Sequence, residues 1–256
     1  MYTFEKHYTD LLAPYYTRVY GGREQNYRRA REILIEFGLN PDVRNGPGNA
    51  ADLGAGSGFY SVPLADMGYS VVAIDLDETL VDELRQNAKG FSISLHLEDM
   101  LQFQKHCTEP LDLVVCMTDT IAHLNSMTEI QLLFDSVQKS LHNEGLFLIS
   151  FRDQSQDLTG PQRFIPFYSD DSLIATTFVE FQPAHVDVTD LLYIRDTDGW
   201  QMKVSSYSKL RLRTEEIKQC LQAGFTLVSE KNLSGMTYIL CRKTSETRSE
   251  FGISEH

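Results

Sequence analysis

The sequence of 256 residues holds one tryptophan and only four cysteines, and no two cysteines are spaced as a CxxC pair. Cys107, Cys116, Cys220 and Cys241 therefore point to neither a zinc site nor a disulfide framework, and the apolar runs around Cys116 and Cys241 suit small buried thiols. No run of 18 apolar residues occurs, so no membrane-spanning helix is expected. The opening stretch Met1-Tyr2-Thr3-Phe4-Glu5-Lys6-His7 lacks the charged-then-apolar layout of a signal peptide, which leaves a cytoplasmic protein as the expectation. Basic residues are also in deficit: 23 Lys and Arg stand against 36 Asp and Glu, a formal net charge of −13. A chain that binds a phosphate backbone would show a basic face. Arg23, Arg28, Arg29 and Arg31 do cluster, but Glu24 and Glu32 alternate with them at helical spacing, as on a solvated helix face. Nucleic acid and membrane are disfavoured as partners, and a small molecule is expected.

What is present is an ordinary core, with 42% apolar residues, in a length that suits one α/β domain with an insertion. Phe4, Tyr8, Leu11, Leu12, Tyr15, Tyr16 and Val19 recur at steps of three and four residues, a helical stripe interrupted by Pro14. Gly21-Gly22 ends it. A second helix is expected over 23–37, with Tyr27, Ala30, Ile33, Leu34 and Phe37 inward and Gly38 as its stop. Asn40 to Gly48 is a polar loop. Strands then come at 49–53, 70–75, 91–97, 111–117 and 145–151, with helices near 58–68, 77–89 and 128–142. Pro63 predicts a distortion in the first of these helices, and Thr128 with Gln131 has capping-box spacing in the last. This alternation implies a mostly parallel, doubly wound sheet.

The rhythm breaks after residue 160. Arg163 to Tyr168, Ser172 to Phe181, His185 to Arg195 and Trp200 to Leu212 alternate like strands, and Asp198-Gly199 is a hairpin signal, so a small antiparallel sheet is inserted. A helix at 214–223 stopped by Gly224, a strand at 225–230, a turn through Asn232 to Gly235 and a strand at 236–242 close the chain. The expected organisation is an N-terminal helical lid over 1–40, a cofactor domain from 41–158 and 213–243, the inserted sheet at 159–212 and a tail at 244–256. The inserted sheet serves as an acceptor wall or as the surface of a homodimer.

The run Ala51-Asp52-Leu53-Gly54-Ala55-Gly56-Ser57-Gly58-Phe59 describes a cofactor cradle: a strand end, three alternating glycines and an amphipathic segment whose first N–H groups point into the same space. Asp75, 21 residues beyond Gly54, ends the next strand where a carboxylate accepts ribose hydroxyls, as in either a dinucleotide or a SAM (S-adenosylmethionine) site. The dinucleotide fingerprint wants its third glycine or alanine three residues after the second, and Gly56-x-Gly58-x-x-Ser61 is a near miss. A nicotinamide-dependent oxidoreductase is therefore the runner-up, and a non-catalytic SAM-binding sensor a third reading.

On these residues the chain resembles the class I SAM-dependent methyltransferases from about residue 49 to 242. More loosely, through its tyrosine-rich first helix, Met117 to Leu124 and Phe151-Arg152-Asp153, it is similar to their glycine N-methyltransferase-like, small-molecule branch. The resemblance implies a Rossmann-like sheet with an antiparallel last strand, the inserted antiparallel sheet and the N-terminal helices. It implies SAM as cofactor and S-adenosylhomocysteine as product. Asp52, Gly54, Ala55, Gly56 and Gly58 would wrap the methionine end, Asp75 and Leu76 the ribose, and Asp99 and Met100 the adenine. Met117, Tyr16 and Tyr20 would complete the cofactor wall, with one or two of the N-terminal tyrosines over the sulfonium. Asp119 to Leu124 would begin the acceptor side.

Methyl transfer needs an oriented lone pair more than a nucleophilic residue. A base matters when the acceptor carries a proton, and His123, after the fourth strand, is the first candidate. Asp119 is the second. Each has a plainer alternative: a histidine bonded to backbone at a helix start, and a helix cap. Arg152 with Asp153, and Tyr15, Tyr168 and Tyr207, are candidates for the acceptor pocket; an internal ion pair and ordinary packing are the alternatives. The acceptor expected is an amine, with a hydroxyl as the other option, and no metal is expected.

Overall fold

A computed structural model describes residues 3–39 and 48–244. The loop expected at Asn40 to Gly48 falls almost wholly outside the described residues, as does the tail beyond 244. The N-terminal stripe folds as one irregular helical segment rather than a single α-helix. Thr3 caps α1 (Phe4–His7), a π-helical turn runs over Tyr8–Leu12, a 3₁₀ turn over Ala13–Tyr15 and α2 over Tyr16–Val19. Pro14 lacks an N–H and its ring collides with an α-helical carbonyl, so the chain changes pitch around it. Gly21 and Gly22, both at positive φ, turn the chain into α3 (Arg23–Glu36). Ala30, Ile33, Leu34 and Phe37 are buried there, as their spacing requires.

β1 (Gly48–Leu53), β2 (Tyr69–Asp75), β3 (Ile93–Leu97), β4 (Leu111–Cys116) and β5 (Leu141–Phe151) alternate with α4 (Ser61–Asp66), α5 (Glu78–Asn87), a 3₁₀ segment at Met100–His106 and α6 (Met127–Ser140). β6 (Phe164–Ser169), β7 (Leu173–Phe181), β8 (His185–Asp196) and β9 (Gly199–Leu210) form a separate four-stranded antiparallel sheet. α7 (Thr214–Leu221), β10 (Phe225–Leu233) and β11 (Met236–Lys243) return to the first sheet. Its order is β10-β11-β5-β4-β1-β2-β3, parallel from β5 to β3, with β11 antiparallel between β5 and β10. Strand order reverses between β1 and β4, where a doubly wound sheet opens its ligand crevice.

Four local expectations shift. α4 starts at Ser61 rather than 58, because Gly58 holds a φ of +92°. Pro63, within its first turn, loses no bond there. The cap of α6 is Ser126, whose hydroxyl accepts the Glu129 N–H, and not Thr128 with Gln131. The two-residue hairpin loop is Thr197-Asp198, since Asp196 pairs with Gly199 across the ladder. The 3₁₀ segment at 100–106 has too little apolar periodicity to read as a helix.

One apolar cluster lies on each face of the large sheet, and both faces of β4 are buried, which explains its unbroken Leu-Val-Val-Cys run. Phe147, fully buried on β5, meets Phe134 of α6 and Phe225. Phe147→Ala is expected to lower the unfolding free energy by about 3–5 kcal/mol, read from urea titration.

Candidate active site

The glycine run leaves β1 with Gly54 at φ +71°, Gly56 at +53° and Gly58 at +92°. A Cβ on Gly54 would lie 2.2 Å from Thr120 Cγ2, and one on Gly58 would lie 2.3 Å from Leu84 Cδ1. Gly54 thus permits contact with the β4 end, and Gly58 permits packing on α5. At Gly56 the nearest neighbour of a Cβ is Tyr16 Cε1, at 3.7 Å, so Tyr16 stands over a bare backbone with room for a ligand.

Three carboxylates frame this loop in different chemical states. Asp52, buried on β1, accepts the Ser61 hydroxyl at 2.6 Å, and burial pushes its pKa up to about 7. Asp75 ends β2 and accepts N–H bonds from Gly56 at 2.7 Å and Asp77 at 2.9 Å. Burial raises its pKa and these N–H groups oppose the rise. Asp99 accepts the Leu101 N–H at 2.8 Å and starts the 3₁₀ turn after β3.

Across the crevice, Thr118 and Asp119 both adopt left-handed backbone, at φ 57° and 72°. Such non-glycine positions cost about 1–3 kcal/mol each and persist only where surroundings enforce them. Here Thr118 N donates to Ser150 Oγ at 2.7 Å, Arg152 N to Asp119 Oδ1 at 2.9 Å and Lys209 Nζ to Asp119 Oδ2 at 2.5 Å. Burial raises the Asp119 pKa, but the Lys209 ammonium and the Arg152 N–H outweigh it and hold the carboxyl below its ordinary range. His123 comes next on the same 3₁₀ turn (Thr120–His123). Phe4 stacks on its ring at 4.0 Å, Tyr8 meets it edge-on at 5.8 Å, and its Nδ1 is covered without a partner. Burial, reinforced by the Lys209 charge, pushes its pKa down to about 3.

These elements enclose a cavity of about 590 Å³, within the range for small-molecule sites. Of the residues expected at the site, Tyr16, Gly54, Gly56, Asp75, Leu76, Asp99, Met100 and His123 line it. Asp52, Ala55, Gly58 and Met117 do not; they are packed behind the loop. Asp119, the second candidate base, is buried with one oxygen on the Arg152 N–H and the other in an ion pair with Lys209. Tyr207 is buried against Phe4, His7 and His123 behind the wall. Tyr20 lies outside against Tyr16 and Phe167, Tyr15 beside Lys203, and Tyr168 on Asp170. Arg152 is exposed and makes no ion pair with Asp153, which instead accepts the Thr214 hydroxyl at 2.8 Å. Sequence reasoning missed Phe4, Thr118 and Lys209 on the lining, whereas Thr120 falls in the expected Asp119 to Leu124 segment. Lys209 shares strand parity with Tyr207, the one signal that could have turned it inward. Among the described residues no group of three or more His, Cys, Asp and Glu is arranged to hold a metal ion.

A doubly wound sheet with this order, an antiparallel last strand and a glycine cradle at its switch point put the cavity where folds of this kind bind their ligands. Residues 50–145 match the family described as a methyltransferase domain. Among curated relatives, a protein of Geobacillus sp. (strain WCH70) named as a methyltransferase is 23% identical over 208 residues, 78% of this chain and 82% of its own length. A glycine/sarcosine N-methyltransferase of Aphanothece halophytica is 23% identical over 120 residues, 46% of this chain and 45% of its own. The SAM-bound structure of CalS10, an amino pentose methyltransferase from Micromonospora echinaspora, superposes with a TM-score of 0.67 at 16% identity, covering 89% of this chain and 94% of that one. The chain thus carries a match to a methyltransferase domain over residues 50–145 and shares the fold of solved SAM-dependent methyltransferases.

Asp52 gives a pH test. Its folded pKa lies above its unfolded value, so the stabilisation is present below about pH 4 and is lost as pH rises through about 7. Relative to Asp52→Asn, the wild type is expected to lose stability over that interval and then level off, measured by denaturant unfolding at each pH.

Proposed function

We propose that the protein methylates the nitrogen of a small-molecule amine at this cavity. The observation that carries the reading is His123: an imidazole on the cavity wall, held neutral by burial and the Lys209 charge, that adds no positive charge against an amine-bearing guest. Bound SAM would supply an electrophilic methyl on a sulfonium. Gly54 and Gly56 would cradle its methionine end, Tyr16 would face the cation, Asp75 and Leu76 would hold the ribose, and Asp99 and Met100 would hold the adenine. The bare backbone at Gly56 and the paired N–H-bound oxygens of Asp75 fit such a ligand.

With a pKa so low, His123 is poorly suited to carry a proton at neutral pH. Its role is to stand as a neutral ring that shapes the acceptor side and orients the guest's nitrogen, leaving the released proton to solvent. Glu5, Glu98, Asp99 and Glu129 also line the cavity and favour a cationic or amine-bearing guest. The names of the glycine/sarcosine and amino pentose enzymes point the same way.

The segment from Thr3 to Val19 acts as the lid. It ties to the cofactor side through Thr9–Asp77 at 2.9 Å and Thr17–Glu83 at 2.6 Å, and to the inserted sheet through His7–Asp190 at 3.0 Å. The inserted sheet also pairs with a second copy. β9 is a twelve-residue edge strand with Trp200, Met202 and Val204 about half exposed, and antiparallel pairing of two identical edges closes a twofold dimer. No helix among the described residues is long and apolar enough to cross a membrane, and we assign the enzyme to the cytoplasm.

Calorimetry is expected to detect SAM and S-adenosylhomocysteine but not NADH, and Asp75→Asn to weaken SAM by about tenfold or more. Labelled methyl from SAM is expected in primary or secondary amines. Label found only in hydroxyl compounds would move the reading to O-methylation, and SAM binding without label in any extract would favour a sensor. Sedimentation equilibrium is expected to give a dimer that Met202→Asp converts to monomer.

A further inference from the structure

Lys209 is the lysine that reaches the cavity wall from the inserted sheet, and its charge is consumed by one partner. Its side chain is buried, as is that of Asp119. The pair joins β9 to the two left-handed residues that end β4. That turn fixes the path of the next few residues. Ala122 N donates to Asp119 O at 3.0 Å, and Thr120, whose hydroxyl donates to Met117 O at 2.7 Å, fills the space above Gly54.

We propose that Lys209 is a positioning residue for methyl transfer: from the inserted sheet it clamps the Thr118–Asp119 turn and so sets Thr120 against the glycine loop and His123 against the acceptor. The proposal rests on the methyl-transfer reading above. It gives the inserted sheet a part in assembling the site besides walling or dimerising. The clamp is specific in geometry, since Arg152 N and Lys209 Nζ take one carboxylate oxygen each. Without Lys209, the left-handed turn keeps only backbone and Ser150 contacts to offset its strain.

The charges around His123 make the clamp readable. Lys209 faces it from β9, Asp119 from its own loop and His7 from α1, with the neutral hydroxyls of Tyr8 and Tyr207 beside it. Lys209 and His7 disfavour imidazolium and Asp119 favours it. Removing Lys209 alone therefore raises the His123 pKa, and removing Lys209 with Asp119 largely cancels the change.

The test uses ligand-free full-length protein, with Lys209→Met, Lys209→Arg and the double variant Asp119→Asn/Lys209→Met. Hydrogen exchange at the Asp119 and Ala122 amides is expected to accelerate about tenfold or more in Lys209→Met, beyond any change at core amides such as Val115. His123, tracked by NMR, is expected to titrate at higher pH. Methyl-transfer kcat is expected to fall, and Lys209→Arg to restore all three. The double variant strands no buried charge, and is still expected to exchange fast at those two amides. Wild-type exchange there in the double variant, or acceleration in Lys209→Met no greater than at core amides, would overturn the proposal. A wild type that bound SAM but transferred no label would instead sink the functional reading, while the exchange data still decide the clamp.

Discussion

There is no room for a side chain at position 54, and the site is arranged around that constraint. The backbone leaving β1 must pass under Thr120 at a distance only glycine tolerates. β4 must therefore end beside β1, and the turn after it must double back over the loop. The strand order supplies the first condition and the left-handed pair Thr118–Asp119 the second. Both sheets contribute to the enforcement: Ser150 and Arg152 from the end of β5, and Lys209 from β9.

The same crowding sorts the carboxylates. Asp52 and Asp119 are buried and Asp75 is half-buried, and each has a different set of partners. One hydroxyl only partly offsets the burial that raises the Asp52 pKa, two N–H groups partly offset the burial of Asp75, and an ammonium keeps Asp119 charged. Partner type, more than depth, sets the protonation state. The charge on Lys209 that keeps Asp119 ionised also helps to keep His123 neutral, so one cation serves two groups in opposite senses.

Much of the architecture was legible because it depends on local pattern. The strands of the large sheet read as apolar runs, and the inserted sheet as alternation punctuated by turns; both lie within a few residues of expectation. That Gly54, Gly56, Asp75 and Asp99 share one cavity was legible from their positions relative to strand ends. The π and 3₁₀ turns near Pro14 were not, since helical periodicity does not resolve pitch. The ion pair of Asp119 was not legible because its partner lies 90 residues away in sequence. Lys209 carries no signal in the sequence beyond its parity with Tyr207, because its contact with Asp119 is one that only the fold creates.

The widened turn at Tyr8–Leu12 has a consequence for how this wall could change over evolution. Each residue added to or removed from a helical segment rotates the part before it by about 100° relative to the part after it. Phe4 and Tyr8, which meet the His123 ring, sit at the start of such a segment, and Leu11, Leu12 and Val19 anchor its remainder to the inserted sheet. Loss of one residue from the turn would swing the aromatic pair away from the imidazole while leaving the cofactor cradle untouched. Insertions and deletions here, more than point substitutions, are the changes able to switch which guest the chamber accepts.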